Sequence, residues 1–356
     1  MSILHDLQRL VECQSPSEDL EACRKVIALA NEIATERLGT SAKVFDENGR
    51  PVFWWGAEKP AIVILTHLDT VWPIDSYLPL WKVEGEKISG PGIFDMKAGF
   101  LQVLYAIAEI PDASTKVALI ATTDEELGSQ TSRDLIKRVS ATADAVLVTE
   151  ASLNGKVKVG RKGTSMYSIT VTGRAAHAGL EPEKGINAST EIAHIVTALH
   201  ALENREHGTT VVPTTMHSGT TTNTVPAVAT LDIDSRSFTM AEMERVERAL
   251  RAITPLHPEA RIEVLGGINR PPLELTATAD LYQTLESVAK QLGIPEVGSA
   301  SVGGASDGNF AAAAGAKVLD GLGAVGDGAH APHEHILSSS IPGRIALLAA
   351  FIKELM

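Results

Sequence analysis

This sequence has little of several features on which large classes of protein depend. It has two cysteines in 356 residues, Cys13 and Cys23, which argues against a disulfide framework and indicates ordinary reduced thiols. No apolar run reaches the roughly 18 uncharged residues of a transmembrane helix. The N-terminal residues lack a basic region followed by an apolar core, so we expect no signal peptide and a cytoplasmic location.

Basic and aromatic residues are also scarce. Lys and Arg number 31 against 44 Asp and Glu, for a net charge of −13 at pH 7, which argues against a nucleic acid or an anionic membrane as partner. Only 4% of the residues are aromatic, so a stacking platform for single strands is not expected. A local basic cluster is still compatible with an acidic substrate. The chain is 44% hydrophobic, which allows a large core.

Buried strands alternate with helical stretches in the first part of the chain. The runs AIVILT (61–66), KVALIAT (116–122) and DAVLVT (144–149) are typical of strands buried on both faces. Helical periodicity lies between them, and an earlier helix is predicted over Ser17–Leu38 with its start signal at Ser15-Pro16-Ser17. This alternation predicts an α/β fold with a mostly parallel sheet sandwiched by helices.

The pattern changes in the middle of the chain. From residue 164 to 270 the predicted order is strand, helix, strand, strand, helix, strand, which is the split, ferredoxin-like α+β arrangement. The first style resumes after Arg270. We therefore predict a catalytic domain in two parts, residues 1–163 and 271–356, interrupted by an inserted domain at 164–270.

Polar residues with metal-binding chemistry terminate the buried strands or follow glycine-rich turns. They are His67, Asp95, Glu125, Glu126, Glu150 and His330. Ligands gather at the carboxyl ends of strands in parallel sheets, and two imidazoles with several carboxylates suit a pair of divalent ions, foremost zinc, with cobalt or manganese as alternatives. Each residue alone has an ordinary interpretation as a polar loop residue or helix cap. The joint pattern argues for a two-metal site.

Two local spacings refine this hypothesis. His67 and Asp69 fall on one side of a strand, so Asp69 is expected to orient the imidazole or to bind metal beside it. Glu125 and Glu126 are neighbours on what we interpret as an extended segment, so their side chains point opposite ways. One is then expected to bind metal while the other faces the substrate as a base.

Several motifs together resemble one known family across nearly the whole chain. They are HLDTV (67–71), GPGIFDMKAG (90–99), TDEELGS (123–129), the strand end at Glu150 and the segment from His330 to Glu334. They resemble the di-zinc peptidase and deacylase family of glutamate carboxypeptidases, acetylornithine deacetylase, succinyl-diaminopimelate desuccinylase and aminoacylase. The nearest resemblance is to the glutamate carboxypeptidase (carboxypeptidase G) branch. A zinc-exopeptidase-like catalytic domain with an inserted lid and dimerisation domain is implied.

The resemblance implies two Zn²⁺ ions per subunit, with Co²⁺ or Mn²⁺ able to substitute. Asp95 would bridge the ions, His67 and Glu150 would complete one site, and Glu126 and His330 the other. His333 occupies the place where the family usually has Asn, which leaves open a competition between His333 and His330.

Catalytic roles are implied in the same way. Glu125 would be the general base that takes a proton from the water between the metals and passes it to the leaving amine, and Asp69 would orient His67. The family often has a cis peptide bond after the bridging Asp, so we expect one between Asp95 and Met96.

The inserted domain is expected to contribute residues too. His177, in a turn resembling Ser-His-Ala-Gly with Ala176 in place of Ser, would reach the active site of a partner subunit and stabilise the oxyanion, which implies a homodimer. Asn223 and Arg270 match residues that bind the substrate carboxylate. Arg236 lies where the family places a basic residue, and it has an equally plausible interpretation as a salt-bridged strand residue.

A basic run lies where the glutamate branch has a Lys that binds the side-chain carboxylate of the substrate. Its members are Lys156, Lys158, Arg161 and Lys162, and the sequence does not say which of the four has this role.

The implied activity is hydrolysis of an amide bond next to a free carboxylate in a small peptide or N-acyl amino acid, with C-terminal glutamate as the first expectation. Deacylation of a biosynthetic N-acyl amino acid is the alternative within the family. A silent dimeric peptide-binding relative is the non-enzyme alternative, and the complete ligand set argues against it. A two-metal phosphatase or nuclease would need a positive cleft and a different motif order.

Overall fold

The computed structural model describes residues 2–294 and 296–356. Its helices, in chain order, are α1 (Ile3–Glu12), α2 (Leu20–Leu38), α3 (Ala98–Ala108), α4 (Arg133–Ser140), α5 (Ala188–Leu199), α6 (Met240–Arg251), α7 (Leu275–Gln291), α8 (Asp307–Ala313) and α9 (Ile341–Leu355). Its strands are β1 (Lys43–Glu47), β2 (Arg50–Gly56), β3 (Ile62–His67), β4 (Lys82–Glu84), β5 (Lys87–Ser89), β6 (Val117–Thr122), β7 (Ala145–Val148), β8 (Val157–Arg161), β9 (Gly163–Thr172), β10 (Thr210–Ser218), β11 (Val228–Ser237), β12 (Arg261–Arg270), β13 (Ser299–Val302), β14 (Val318–Leu319), β15 (Gly326–Asp327) and β16 (His335–Leu337).

The chain separates into two compact units. The first contains Met1–Gly160, Glu274–Val302 and Ser306–Met356, and the second contains Arg161–Leu273 and Gly303–Ala305. The predicted domain division at 163/164 and 270/271, with a lid and dimerisation role for the middle segment, stays a prediction.

The first unit is built on a six-stranded sheet in the order β1-β2-β6-β3-β7-β14. The pairs β6/β3, β3/β7 and β7/β14 are parallel, and β1/β2 and β2/β6 are antiparallel. The helices of this unit flank the sheet. The predicted α/β class is therefore confirmed, with the antiparallel hairpin at one edge of the parallel strands.

Both faces of the central sheet are buried, as the unbroken apolar runs of its strands predict. Every residue of β3 and β6 is buried. Ile62 and Ile64 pack in the cluster that includes helices α2, α3 and α9, while the alternate residues Val63 and Leu65 are buried on the opposite face. Water is excluded from both faces of these strands, so the polar residues that can bind a ligand lie at the strand ends.

Two smaller sheets in this unit were not predicted. One pairs β13 with β8, and the other has the order β15-β16-β5-β4. In the second, His335 pairs with Ser89 and Leu337 with Lys87. This pairing brings the chain just after His330 beside the chain just before Asp95.

The second unit has the predicted ferredoxin-like order. Its antiparallel sheet is β10-β11-β9-β12, and the elements follow the chain as β9-α5-β10-β11-α6-β12. Alternate strand residues such as Ile169 and Leu231 pack with α5 and α6 in a separate core, while Met166 and Val228 on the other face are exposed. The alternation is typical of an antiparallel sheet with one covered face.

One helix start was predicted wrongly. Helix α2 begins at Leu20 and not at Ser17, because the side chain of Asp19 accepts a hydrogen bond from Ala22 N and caps the first turn. Helix α2 does end at Leu38, as predicted, and Gly39 after it has φ 71°. Within the described residues, no helix is long and apolar enough to cross a membrane.

Candidate metal centre

Five side chains of the first unit meet at the carboxyl end of its central sheet. His67 is the last residue of β3, Glu126 lies in a short turn after β6, and Glu150 follows β7 by two residues. Because β6, β3 and β7 are parallel neighbours, their carboxyl ends share one edge. Asp95 and His330 reach the same edge on loops, before α3 and between β15 and β16.

The Asp95 carboxylate lies between two imidazoles. Its Oδ1 is 3.3 Å from His67 Nε2, and its Oδ2 is 3.4 Å from His330 Nε2. His67 Nε2 is also 3.6 Å from Glu150 Oε1, and His330 Nε2 is 3.0 Å from Glu126 Oε2. Each side therefore has one imidazole and one carboxylate, and the two sides share Asp95.

The donor atoms of this cluster fit a metal site. His67, Asp95 and Glu126 each place one donor atom within 4.8 Å of the others, and so do His67, Glu125 and Glu150. Several carboxylates concentrated in a largely buried place repel one another unless positive charge compensates them. Imidazole nitrogen and carboxylate oxygen are donors that zinc and its neighbours among the divalent ions accept.

The protonation of the cluster reflects the same concentration of charge. Burial alone would lower the pKa of His67, but the carboxylates of Asp69, Asp95 and Glu150 more than offset it, so the pKa lies well above its usual value. Asp95 and Glu126 raise the pKa of His330 to about 10. Burial and then the Asp95 charge raise the pKa of Glu126 to about 7. The carboxylates that raise the imidazole pKa values are thus the same groups whose charge a metal ion would neutralise.

Asp69 lies behind His67. His67 Nδ1 is 3.1 Å from the Asp69 backbone oxygen and 3.4 Å from its carboxylate Oδ1. The other oxygen, Oδ2, accepts hydrogen bonds from Ser17 Oγ at 2.8 Å and from Glu126 N at 3.2 Å. Acceptors at Nδ1 keep the ring hydrogen on that nitrogen and leave Nε2 facing Asp95 and Glu150.

The two glutamates after β6 are not on an extended segment. Residues Glu125–Leu127 form a single 3₁₀ turn that ends at Gly128 with φ 82°. The predicted extended backbone at Glu125 and Glu126 was therefore wrong. The carboxylates nonetheless separate, because Glu126 contacts His330 while Glu125 belongs with His67 and Glu150.

Asp95 sits in an irregular turn, Ile93–Lys97, that precedes α3. The Asp95–Met96 peptide bond is cis, as expected. Gly92 before the turn has φ 68°, and a Cβ there would lie 2.2 Å from Thr70 Cγ2, so only glycine fits.

Comparison with known proteins adds to this geometry. The sequence profile of Peptidase family M20/M25/M40 matches residues 63–354. This chain belongs to that family. As a member of the M20 family it is a metal-dependent hydrolase, and the glutamate carboxypeptidase-like and deacylase resemblance read from the motifs is confirmed at the level of the family.

The relatives of this chain include one named a carboxypeptidase and one named a desuccinylase. Carboxypeptidase G2 of Pseudomonas sp. (strain RS-16) is 31% identical over 312 residues, with 83% of this chain and 74% of the relative covered. Succinyl-diaminopimelate desuccinylase of Dechloromonas aromatica (strain RCB) is 26% identical, with 98% and 97% covered. The solved structure of aminopeptidase PepT from Bacillus cereus ATCC 10987 has a TM-score of 0.78 at 21% identity, with 99% of this chain and 98% of that one covered, and so shares the fold.

In this M20 protein, His330 and not His333 reaches the carboxylates. His330 Nε2 contacts both Asp95 and Glu126, whereas His333 makes no comparable ion pair among the described residues. His330 has φ 60°, a left-handed conformation that turns the chain at this point.

Two predicted residues of the second unit are neighbours there. His177 and Thr224 form an isolated bridge, and Ala178 N donates to Asn223 O at 2.8 Å. His177 Nδ1 accepts from the backbone N–H groups of Gly179 and Leu180, both at 3.1 Å. In a neutral ring the hydrogen is then on Nε2, so this exposed side chain offers a donor.

The two predicted arginines differ. Arg236 binds Asp234 through both Nε (2.9 Å) and Nη2 (3.0 Å), which is the salt-bridged arrangement left open from the sequence. Arg270 ends β12 and is buried. Buried guanidinium groups are suited to bidentate recognition of carboxylates.

The basic run divides between the units. Lys158 Nζ lies 3.9 Å from Glu150 Oε2, at the metal centre. Arg161 is buried and donates to the backbone oxygens of Gly304 at 3.2 Å and Ala305 at 3.1 Å. Lys162 lies over the ring of Phe238.

Sequence reasoning missed Glu334. It is fully buried, and its carboxylate accepts hydrogen bonds from the Trp72 indole and from the backbone of the loop that carries Asp95. The available signal was its place in the motif from His330 to Glu334, where only the histidines were considered.

Proposed function

We propose that this M20 protein is a two-zinc amidohydrolase that cleaves an amide bond next to a free carboxylate, with glutamate preferred at that position. One observation supports the two-ion arrangement above all. The Asp95 carboxylate presents one oxygen to His67 and the other to His330, and each imidazole has its own second carboxylate, Glu150 or Glu126.

Divalent ions held by these five residues would polarise the scissile carbonyl and make water acidic enough to attack near neutral pH. The remaining steps belong to the chain itself. Glu125 accepts the proton of the attacking water and returns it to the leaving amine. Its carboxylate is within 4.8 Å of donor atoms of His67 and Glu150, which supports this role.

The second unit supplies substrate contacts in this proposal. The Nε2–H of His177, contributed across a homodimer, donates to the developing oxyanion. Arg270 and Asn223 bind the free carboxylate of the substrate, and Arg236 has only a supporting place there because Asp234 already occupies its guanidinium. Lys158 is the member of the basic run we assign to the glutamate side chain, since it is the one beside Glu150.

We assign the acyl side of the bond to a cavity beside the metal centre, and the lining of this cavity favours an apolar group there. Its volume is about 710 Å³, and Glu126 is part of its lining. Apolar side chains line much of the rest (Leu20, Val71 and Ile74), and Glu18 and Asp19 are its other charged groups. A succinyl carboxylate placed there would meet like charge, whereas an apolar acyl group would bury surface at about 25 cal/mol per Å².

The lining of this cavity supports one of the two candidate activities over the other. The 31%-identical relative is named a carboxypeptidase, and another is named a succinyl-diaminopimelate desuccinylase. Desuccinylation places a second carboxylate on the acyl side. We therefore rank carboxypeptidase-like hydrolysis first and deacylation of small N-acyl amino acids second.

Hydrolysis of a matched panel tests the proposal. One apolar acyl group would be carried by glutamate, aspartate, ornithine, diaminopimelate and a neutral residue, and N-succinyl-diaminopimelate would be added. Activity on the glutamate compound, lost to chelator and restored by zinc, is expected. A preference for the succinyl compound would favour the desuccinylase alternative, and no hydrolysis by fully metallated protein would favour the silent peptide-binding relative.

A homodimer and a cytoplasmic location complete the proposal. Sedimentation of the purified protein tests the first, and a monomer at micromolar concentration that retains full activity would remove the need for a His177 from a partner.

A further inference from the structure

We propose that Glu334 is a positioning residue that holds the Asp95 loop and the His330 loop together, and that it thereby sets the metal affinity of the His330–Glu126 side. The inference rests on the proposed metal centre. It concerns how this chain positions its ligands and does not assign Glu334 as a ligand.

The first observation is the set of donors around the Glu334 carboxylate. Oε1 accepts from Phe94 N at 2.9 Å and Asp95 N at 3.1 Å, and Oε2 accepts from Gly92 N at 3.1 Å and Trp72 Nε1 at 2.8 Å. A carboxylate has about four lone-pair sites, so its capacity is filled. Two of the four donors are backbone groups of the turn that carries Asp95, and a third, Gly92 N, lies directly before that turn. The carboxylate therefore holds this loop from a residue more than 200 positions away in the sequence.

The second observation is that Glu334 and His330 belong to one compact segment. Ala331 N donates to Gly328 O at 2.8 Å, and Glu334 N donates to Ala331 O at 2.9 Å, so two successive turns connect the two residues. Tyr77 Oη donates to Glu334 O at 2.9 Å and anchors the end of the segment. A displacement of Glu334 would therefore move His330 relative to Asp95.

The third observation is the unequal support of the two sides. His67 ends a central strand that is hydrogen bonded on both sides, and Glu150 follows the neighbouring strand. His330 lies on a loop with half of its side chain exposed. The Asp95 loop keeps backbone hydrogen bonds of its own when the Glu334 contacts are lost, such as Lys97 N to Gly92 O at 3.0 Å and Ile93 N to Gly90 O at 3.3 Å, so Asp95 should stay near His67. The His330 loop loses its link to the Asp95 loop, and we therefore expect the His330–Glu126 side to weaken and the His67–Glu150 side to stay nearly intact.

Glu334→Gln is the informative change. Glutamine keeps the size of the side chain but replaces one acceptor oxygen by an NH₂ group, which would face two N–H donors. Trp72→Phe is the matched control, because it removes one donor of the same carboxylate and leaves all three backbone contacts to the loop.

Cobalt titration of the metal-free protein, followed by visible absorption, measures the two sites without substrate. We expect two bound ions in the wild type and in Trp72→Phe. In Glu334→Gln we expect one site within threefold of the wild type and the other about 10- to 100-fold weaker. Equal weakening of both sites, or none, would contradict the inference.

Hydrogen exchange of the metal-free wild type provides a measurement that needs no variant. The amides of Gly92, Phe94 and Asp95 should be protected before metal is added, since Glu334 and not the metal holds them. Protection that appears only on metal addition would overturn the inference. A wild type that binds fewer than two ions would contradict the proposed centre itself, which separates the two failures.

Discussion

His67 and His330 face the same carboxylate but are supported in different ways. The His67 side chain is 2% exposed, ends a central parallel strand, and has Asp69 at its second nitrogen. The His330 side chain is 50% exposed and lies on a loop between two short strands. The β16/β5 pairing and the Glu334 contacts bring that loop to Asp95.

The contrast shows two ways of placing a ligand. On the His67 side the central sheet positions the ligand, because the strand pairing that forms the core also determines where the imidazole lies. On the His330 side a few hydrogen bonds between loops position the ligand. The position of His67 should therefore resist local substitutions, and the position of His330 should be sensitive to them. Substitutions on the two sides should therefore differ in their effects on metal binding.

Replacing Asp95 by Ala should affect both sides at once. Asp95 is the carboxylate that both imidazoles contact, so we expect the loss of tight cobalt binding at both sites and activity at the level of chelator-treated wild type. Metal analysis after gel filtration measures the first. Retention of one tight ion would show that one side assembles without the shared carboxylate.

Replacing Glu125 by Gln should leave both sides occupied and stop the chemistry. We expect kcat to fall by about 10²- to 10⁴-fold, the contribution typical of a positioned general base, with metal content unchanged. Steady-state kinetics and metal analysis on the same sample check this. Near-wild-type kcat would refute the assignment of the base.

Replacing Asp69 by Asn should act mainly on the His67 side. The amide oxygen can still accept hydrogen bonds from Ser17 Oγ and Glu126 N. Its NH₂ group would then face the N–H group at His67 Nδ1, so two donors would meet there. We expect one cobalt site to weaken about 10- to 100-fold. Ser17→Ala is the control, since it removes one bond to Asp69 and keeps the carboxylate. A variant in which only the His330 side weakens would reverse the comparison.

Metal binding should release protons on both sides, and more of them on the His330–Glu126 side. The pKa of His67 lies well above its usual value, where nearby carboxylates outweigh burial, and that of His330 is raised to about 10 by Asp95 and Glu126. The raised pKa of His330 predicts that its imidazole loses a proton when metal binds at pH 7, and Glu126, with a pKa of about 7, releases a further fraction of a proton on that side. The raised pKa of His67 predicts proton release on its side as well, so both affinities should rise with pH. Calorimetry in two buffers of different ionisation enthalpy measures the protons. Binding without proton release would contradict these shifts.

Much of the fold was readable from local pattern. The runs that become β3, β6 and β7 are apolar throughout, and a strand must be so when both of its faces are covered. The strand and helix order of the second unit followed from the change to alternating burial.

The start of α2 was misjudged because Asp19 caps the helix in preference to the earlier Ser-Pro-Ser. The glutamate pair was read as extended because a 3₁₀ turn of three residues has no periodicity to detect.

By itself, the sequence determined which residue types end the buried strands, and with them the candidate ligands His67, Glu126 and Glu150. Unbroken apolar runs are local features of the chain, so the ends of the buried strands can be located from the sequence. The family resemblance named Asp95 as the shared carboxylate and His330 as a ligand, but their contact, the position of His333 away from it, and the joining of the two loops by Glu334 depend on the tertiary structure. Those contacts join residues separated by up to 242 positions, and hydrogen bonds between loops leave no periodic trace in a sequence.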